Sequence, residues 1–213
     1  MPTPCPAGFP TTYAGGPYDE LLRRLISAHK ERQAWSLTGV LSDRLARSVE
    51  ALAIERPGRV PDAGPLVLVP IPSSAAAIRK RGRDATSALA RRAVRRLRPR
   101  LGLPVIMKPL LRPVRRLADQ SELSELERRQ NLAGAYAVRG RPSGRSRSLE
   151  FGGQVIIVDD LVTTGSSLTE AHRALTAAGM PVLGAAVIAA TVRQRPGGPA
   201  ARERGAAVLD RKR

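Results

Sequence analysis

The sequence predicts an α/β fold in which a parallel sheet is flanked by helices. The first observation is a βαβ unit: an apolar run at residues 155–158, a helical pattern from residue 166, and a second apolar run at residues 182–190. Strands joined in this way pair in parallel through a right-handed crossover. The second observation is that residues 155–158 are all β-branched, which is typical of a strand buried on both faces.

The composition is that of a globular protein with one main domain. Its 213 residues are 42% hydrophobic and 25% charged, and no apolar run approaches the roughly 20 residues that span a bilayer. The first ten residues lack the basic start and apolar core of a signal peptide. The single cysteine, Cys5, excludes an internal disulfide framework. We therefore expect a cytoplasmic protein that does not enter a membrane.

The N-terminal part divides into a lead-in and two helices. Residues 1–17 are rich in proline and glycine, which predicts an extended lead-in. Apolar residues then recur with helical spacing in two stripes, and the sequence predicts a helical hairpin before the sheet. The stripes are Leu21, Leu22, Leu25 and Ile26, and then Leu37, Leu41, Leu45, Val49 and Leu52. We assign residues 18–192 to the main domain and residues 193–213 to a basic tail.

The middle of the chain alternates strands and helices. Strands are predicted at residues 66–69, 103–111 and 135–138, and helices at residues 84–97 and 121–130. Pro70 and Pro72 follow the first of these strands and should end it, because proline cannot donate to a sheet ladder. Residues 139–148 contain glycine, serine, proline and arginine, which predicts a mobile loop.

Positive charge is concentrated in one short segment. The net charge is +18, and residues 79–100 carry ten Lys or Arg against one acid, so this segment holds half of the net charge. Such a field attracts polyanions, including single-stranded DNA and pyrophosphate. A solvated helix face would show the same pattern. Aromatic residues make up only 3% of the chain, which gives few stacking platforms for single strands.

The candidate site lies where the apolar run at residues 155–158 ends. Asp159 and Asp160 follow it directly, at the sheet edge where open α/β folds bind ligands. The next helix begins with small and hydroxyl side chains: Thr163, Thr164, Gly165, Ser166 and Ser167. Free N–H groups and the dipole of a helix start favour an anion, and glycine permits close approach. Vicinal acids beside a phosphate cradle suit a phosphorylated pentose, although an ordinary strand, turn and helix with solvated acids is the alternative.

Residues 155–167 resemble the phosphoribosyl-pyrophosphate (PRPP) signature of type I phosphoribosyltransferases. The tract at residues 111–136 resembles the competence-associated ComF family within that class, through Arg112, Gln120, Leu123, Arg128, Asn131 and Gly134 in order. Residues 13–30, and residues 69–72 leading to Arg81 and Gly82, agree with the same family. The resemblance spans residues 13–190 and implies a type I phosphoribosyltransferase-like parallel sheet with an N-terminal helical hairpin.

The resemblance also implies roles for individual residues. Asp159 and Asp160 would be catalytic and would hold Mg²⁺, directly or through water, while residues 163–167 would bind the 5'-phosphate of PRPP. Pyrophosphate would be bound by Pro72, Ser73, Arg79 and Arg81. Arg112, Gln120 and Arg128 would lie on a flexible loop that closes over the site. The family also suggests a homodimer.

Several features depart from related enzymes. Many ComF members begin with a four-cysteine zinc finger, and with only Cys5 present we expect no zinc. After Arg81 and Gly82 the family pattern continues with an aromatic residue, Asn and Gln, whereas this chain has Arg83, Asp84 and Ala85. Purine-salvage enzymes commonly carry an acid where this chain has Thr163, and threonine is a poor general base.

The other chemistry-bearing residues do not extend the site. The two histidines, His29 and His172, are expected to be structural or on the surface, and Trp35 is expected to pack between the N-terminal helices. Two functions remain open. The chain is a Mg²⁺-dependent phosphoribosyltransferase with an unknown acceptor, or it is a catalytically silent PRPP-binding accessory protein for DNA uptake that acts on single-stranded DNA or a protein partner.

Overall fold

The computed structural model describes residues 2, 5–55, 64–114, 133–139 and 153–191. These residues form seven strands and five α-helices, with a short 3₁₀ turn at Trp35–Leu37. The strands are β1 (Thr12–Ala14), β2 (Leu66–Pro70), β3 (Val105–Met107), β4 (Leu111–Pro113), β5 (Tyr136–Val138), β6 (Gln154–Val162) and β7 (Val182–Ala190). The helices are α1 (Glu20–Glu31), α2 (Thr38–Glu55), α3 (Ala75–Arg81), α4 (Ala85–Leu101) and α5 (Ser166–Ala177).

Five strands form one parallel sheet in the order β1-β7-β6-β2-β3. Strand β6 pairs with β2 on one side, Pro70 opposite Val158, and with β7 on the other. The remaining two strands, β4 and β5, form a separate antiparallel pair. The predicted α/β fold with a parallel sheet flanked by helices is confirmed, and two N-terminal helices precede β2 as expected.

The sheet separates two hydrophobic layers. Because side chains alternate along a strand, Leu68, Ile156 and Val158 face one layer while Val69 and Ile157 face the other. The first layer packs against α1, α2 and α4. The second packs against α5 and the β4–β5 pair. The strands β2 and β6 are buried on both faces, which explains their continuous apolar sequences.

Helix starts are fixed by acids and hydroxyls that accept from the first turn. Asp19 accepts from the amide of Leu22 at the start of α1, and Asp84 accepts from the amide of Ser87 at the start of α4. The helix predicted at residues 84–97 therefore begins where its cap indicates. It continues to Leu101 through Pro99. A proline in the last turn removes only one hydrogen bond of the helix, so the helix need not end before it.

Three further elements differ from the sequence expectations. Part of the lead-in is a strand, since β1 pairs with β7 at the edge of the main sheet. Residues 103–111 are divided between β3 and β4, which belong to different sheets. Strand β6 extends past residue 158 to Val162, so both acids lie within it. The continuous apolar run ends at Val158, but the backbone of β6 continues to pair with β7 as far as Ala190.

Some expectations fall on residues that the structure does not describe. The helix predicted at residues 121–130, most of the loop at residues 139–148 and the tail at residues 193–213 lie outside the described residues. Among the described residues, no helix combines the length and the apolar character that crossing a membrane requires.

Candidate functional site

The two acids of the site start from opposite faces of the strand, and their carboxylates remain close enough to interact with each other. Asp159 and Asp160 are consecutive residues near the end of β6, where side chains alternate between the two faces. Asp160 lies on the face that carries α1, and only 3% of its surface is exposed. Asp159 lies on the face of Tyr136 and is half-buried. Its carboxylate accepts a hydrogen bond from the amide of Asp160 at 2.9 Å. The acid pair therefore connects the two layers of the molecule.

Lys30 on α1 is the counter-charge of Asp160. Its Nζ lies 2.6 Å from Oδ2 of Asp160, and the two side chains are 28% and 5% exposed. Lys30 occupies the last turn of α1, whose apolar residues Leu22 and Ile26 pack into the core on the same side of the sheet. The N-terminal helix is thus an integral part of the site.

This arrangement shifts the pKa values of the two acids in opposite directions. Burial and the adjacent charge of Asp160 raise the pKa of Asp159 well above its ordinary value. Burial also acts to raise the pKa of Asp160, but the positive charge and the hydrogen bond of Lys30 outweigh it, and this pKa is lowered. Burial acts to lower the pKa of Lys30, and the two carboxylates raise it above its ordinary value. Asp160 is therefore held ionised beside Lys30, while Asp159 is the acid whose charge is costly without a ligand.

The predicted phosphate turn follows β6 directly. Gly165 adopts a left-handed conformation with φ of 76° and has no side chain to cap α5, which begins at Ser166. The amide of Ser166 donates to the hydroxyl of Thr164 at 3.4 Å. The hydroxyls of Thr164 and Ser166 lie 3.0 Å apart, and Thr163 is exposed. An uncapped helix start with nearby hydroxyls can accept an anion through its free N–H groups.

The lead-in packs against this turn. A Cβ atom at Gly165 would lie 2.6 Å from Cε2 of Phe9 and 3.1 Å from Cγ of Pro2. The carbonyl of Gly8 also lies 2.9 Å from Nδ1 of His172 on α5. Only glycine satisfies both the left-handed backbone and this close contact. Residues before β1 therefore help to fix the shape of the phosphate turn.

The predicted pyrophosphate loop lies at the end of the neighbouring strand. Pro72 and Ser73 follow β2, which pairs with β6, and the amide of Ile71 still donates to the carbonyl of Val158 at 2.9 Å. The hydroxyl of Ser73 donates to Asp84 at 2.9 Å. The loop and the acid pair thus belong to adjacent strands at the same edge of the sheet.

The two predicted pyrophosphate arginines lie on α3 in different environments. Arg79 is exposed. Arg81 is largely covered, its side chain being 14% exposed, and its Nη2 lies 3.0 Å from Oε1 of Glu31 on α1. Its Nε is buried and has no hydrogen-bond partner among the described residues. Arg81 therefore retains a donor that a bound anion can use, although one end of its guanidinium group is already paired.

The antiparallel pair contributes a second set of contacts. Tyr136 on β5 is buried, and its pKa is raised by burial and by the charge of Asp159, against the opposing effect of the Ser167 side chain. Its amide donates to Glu170 on α5 at 3.2 Å. Glu170 also pairs with Arg173 at 2.7 Å. These contacts hold β5 against the start of α5, beside the phosphate turn.

His29, Trp35 and Arg83 form a cluster between α1, α2 and α4. The His29 ring meets the Trp35 ring edge-on at 5.1 Å and lies 3.1 Å from the hydroxyl of Thr38. Burial and the charge of Arg83 lower the pKa of His29 to about 4. The guanidinium group of Arg83 lies 4.0 Å from the centre of the Trp35 ring. His29 and Trp35 thus have structural contacts, as the sequence predicted.

The structure brings most predicted site residues to one edge of the sheet. Asp159, Asp160, residues 163–167 and the Pro72–Ser73 loop lie at the ends of the paired strands β6 and β2. Arg112 is an exposed residue of β4, and Gln120 and Arg128 lie outside the described residues.

Lys30 and Tyr136 are site residues that were not predicted from the sequence. The spacing of apolar residues on α1 gave a signal for Lys30: it lies four residues after Ile26, on the side of the helix that faces the core. The indication for Tyr136 was weaker: it is the only aromatic residue of the strand predicted at residues 135–138.

The carboxylate oxygens at this edge of the sheet fit a hard cation that binds together with a phosphorylated ligand. Within the described ranges, no group of three His, Cys, Asp or Glu side chains could hold a metal by itself. Carboxylate oxygens such as those of Asp159 suit Mg²⁺, which commonly uses one or two carboxylates together with substrate phosphates and water. The raised pKa of Asp159 indicates a carboxylate that a nearby cation would stabilise.

Comparison with known proteins identifies one family. The model of the family described as phosphoribosyl transferase domain matches residues 44–208, which is more than half of the chain. The matched range contains the Pro72–Ser73 loop, the acid pair and the phosphate turn. No curated protein matches the chain.

Proposed function

Because the chain belongs to the phosphoribosyl transferase domain family, we propose that it binds PRPP and transfers ribose 5-phosphate from it to an acceptor. The family accounts for phosphoribosyl transfer in general, and the residues at the edge of the sheet support PRPP as the donor. We also place the chain in the ComF group of this family, on the ordered residues of the tract at 111–136.

One observation carries the proposal: an acid pair, an uncapped helix start and a serine-containing loop lie together at the ends of paired strands. The turn at residues 163–167 would bind the 5'-phosphate through the free amides of α5 and its hydroxyls. Asp159 lies between this turn and the Pro72–Ser73 loop along the sheet edge. PRPP carries its groups in the same order: the 5'-phosphate would face the turn, the ring hydroxyls would face Asp159, and the pyrophosphate would face the Pro72–Ser73 loop.

The two acids would have different roles. Asp160 forms an ion pair with Lys30 and would act as a fixed negative charge near the ribose. Asp159 is half-buried and has a raised pKa, so it would accept hydrogen bonds from the ribose hydroxyls and gain most from a nearby positive charge. When the bond between C1 of the ribose and pyrophosphate breaks, the sugar becomes cationic, and both carboxylates would stabilise it.

Mg²⁺ would bind with PRPP, held mainly by pyrophosphate and ribose oxygens and by water, with Asp159 or Asp160 in its shell. The ion would neutralise charge on the departing pyrophosphate. Arg79 and Arg81 would bind the same group from the protein side, joined by the hydroxyl of Ser73 if it exchanges its hydrogen bond to Asp84 for one to the pyrophosphate.

The acceptor is not expected to require a protein carboxylate as its base. Thr163 is exposed immediately before the phosphate turn, at the position where purine-salvage enzymes commonly carry an acid. A threonine hydroxyl does not remove a proton at neutral pH. We therefore propose an acceptor that is already nucleophilic, or one that brings its own base.

The test is calorimetric titration of PRPP with Mg²⁺ into the full chain and three variants. We expect binding to wild type and at least about tenfold weaker binding to Asp159→Asn, which loses one charge-assisted contact. Asp160→Asn should also weaken binding, because it leaves Lys30 without its partner. The control Asp43→Asn removes one carboxylate that pairs with Arg96 at the surface, and should bind as wild type does. Absence of binding to wild type would refute the proposal.

A second candidate is a catalytically silent PRPP-binding protein that acts on single-stranded DNA or a protein partner during DNA uptake. Thr163 favours it, because the chain lacks an acid at that position, and so do the solvent-facing arginines of residues 79–100. Release of pyrophosphate from PRPP in the presence of an acceptor supports the enzyme. Steep salt-dependent binding of single-stranded DNA without pyrophosphate release supports the second candidate.

A further inference from the structure

A cleft of about 430 Å³ lies between the start of α2 and the exposed side of α4. Its polar lining consists of Thr38, Arg83, Asp84, Arg91, Arg92 and Arg95, so four arginines face one carboxylate. None of these residues belongs to the acid pair or to the phosphate turn. The cleft therefore carries a strong positive charge of its own.

The carboxylate in the cleft does not neutralise these arginines. Asp84 caps α4 by accepting from the amide and the hydroxyl of Ser87 at 3.1 and 2.8 Å, and it accepts from Ser73 at 2.9 Å. In the part of the chain that the structure describes, no acid forms an ion pair with Arg91, Arg92 or Arg95. Arg95 lies three residues after Arg92 and four after Arg91, spacings at which like charges on a helix repel, so a bound anion would relieve this repulsion.

Arg83 is already positioned to bind an anion. Its guanidinium group stacks 4.0 Å from the centre of the Trp35 ring, and its Nη2 donates to the Thr38 hydroxyl at 3.3 Å. Its Nε is buried and finds no acceptor among the described residues. A planar group held in this way loses little freedom when it binds a phosphate.

The arginines of α4 that have no acidic partner within the described ranges are concentrated in the middle of the helix, at Arg91, Arg92 and Arg95. Further along the helix, Arg96 pairs with Asp43 at 2.8 Å and Arg100 pairs with Glu50 at 3.3 Å, both from α2. The acids of α2 thus neutralise Arg96 and Arg100, and the Nε of Arg98 donates to the carbonyl of Val105 at 3.1 Å. A polymer would gain from charge along the whole helix, whereas this distribution favours a compact ligand with several charges close together.

We propose that the cleft binds a compact oligophosphate, the triphosphate group of a nucleotide or a free triphosphate, at a site separate from the phosphate turn. The arginines would bind phosphate oxygens through charge-assisted hydrogen bonds, with Arg83 on one side and the three α4 arginines on the other. The proposal is independent of PRPP binding.

Trp35 provides a reporter for this site, because it is the only tryptophan of the chain and stacks on a residue that lines the cleft. Its fluorescence would be recorded during titration of the full chain with sodium tripolyphosphate, with ATP and with a single-stranded oligothymidylate. The test variant combines Arg91→Gln, Arg92→Gln and Arg95→Gln. The control variant combines Arg23→Gln, Arg24→Gln and Arg47→Gln, which removes the same charge from exposed positions on α1 and α2.

We expect a saturable fluorescence change with tripolyphosphate in wild type and in the control. The test variant should bind at least about tenfold more weakly, since it loses several charge-assisted contacts. Equal affinity for ATP and tripolyphosphate would identify the phosphate chain as the recognised group, and tighter binding of ATP would identify a nucleotide. Equal weakening in both triple variants would overturn the proposal, as would a response to oligothymidylate without one to tripolyphosphate.

Discussion

Replacing Lys30 by methionine tests the central charge arrangement of the site. Methionine keeps most of the apolar stem and removes the cation that lies 2.6 Å from Asp160. At that distance the attraction is about 6 kcal/mol for an effective dielectric constant of about 20. The Lys30 side chain is 28% exposed, and Asp160 can take up a proton when its partner is lost. We therefore expect a net loss of about 2 to 3 kcal/mol in the free energy of unfolding at pH 8.

The loss should depend on pH in a defined direction. In wild type the pKa of Asp160 is lowered, so its stabilisation is complete above the unfolded pKa of about 4 and falls only below it. In Lys30→Met, the lysine no longer opposes the burial of Asp160, so we expect the pKa of Asp160 to rise above its ordinary value. Lowering the pH from 8 to 5.5 then protonates this carboxyl and restores part of the stability of the variant, while the contribution of Asp160 in wild type stays constant.

Urea unfolding followed by circular dichroism at both pH values measures the effect. Lys80→Met is the matched control, because Lys80 pairs with Glu31 at 3.3 Å on the surface and should lose less than about 0.5 kcal/mol. The double variant Lys30→Met, Asp160→Asn should be more stable than the sum of the single losses predicts. A deficit that is equal at both pH values, together with additive single losses, would refute this account of the site.

Three further changes have expected outcomes in the same unfolding assay. The buried His29 ring has a pKa of about 4, so between pH 7 and pH 5 the unfolded chain takes up a proton that the folded chain does not. The free energy of unfolding of wild type should therefore fall by about 2 kcal/mol over this range, and His29→Gln should abolish this fall. Parallel pH profiles of the two proteins would contradict this. Gly165→Ala should lower the free energy of unfolding by at least about 2 kcal/mol, because of the positive φ and the contact with Phe9. Adding Phe9→Ala should relieve the contact but not the backbone strain. An unchanged stability of Gly165→Ala would show that the turn is not constrained. Glu170→Gln should cost about 1 to 2 kcal/mol and speed hydrogen exchange at the Tyr136 amide, which it anchors; unchanged exchange would show that the contact is not needed.

The sequence predicted the elements whose signals are local. The β-branched residues of β6 and the helical spacing of α2 and α4 each reflect the burial of their own segment. Each of these elements is present, although β6 and α4 extend beyond their predicted ends. The site residues 159–167 are also contiguous, so one pattern predicts both their strand and their turn. Local patterns can therefore indicate candidate residues together with their elements only where they lie on one continuous stretch.

Contacts between distant segments could not be predicted in this way. Lys30 and Asp160 are 130 residues apart in the sequence, and only the packing of α1 on one face of the sheet brings them within 2.6 Å. The strand β1 has no apolar alternation, because an edge strand of three residues is fixed by backbone pairing to β7 instead. The division of residues 103–111 between two sheets likewise depends on where the rest of the chain lies.

Strand β1 has a consequence for self-association. It covers the outer edge of β7, a nine-residue strand in which seven consecutive residues are buried. One residue of β7 is glycine, and the other eight are Ala, Val, Leu or Ile. An uncovered apolar edge of this kind offers unpaired N–H and C=O groups to another chain, and is a template for aggregation. The carbonyl of Thr11 and the bridge at Pro17 extend the cover on either side of β1. The proline- and glycine-rich lead-in thus protects the sheet from pairing edge to edge with other molecules.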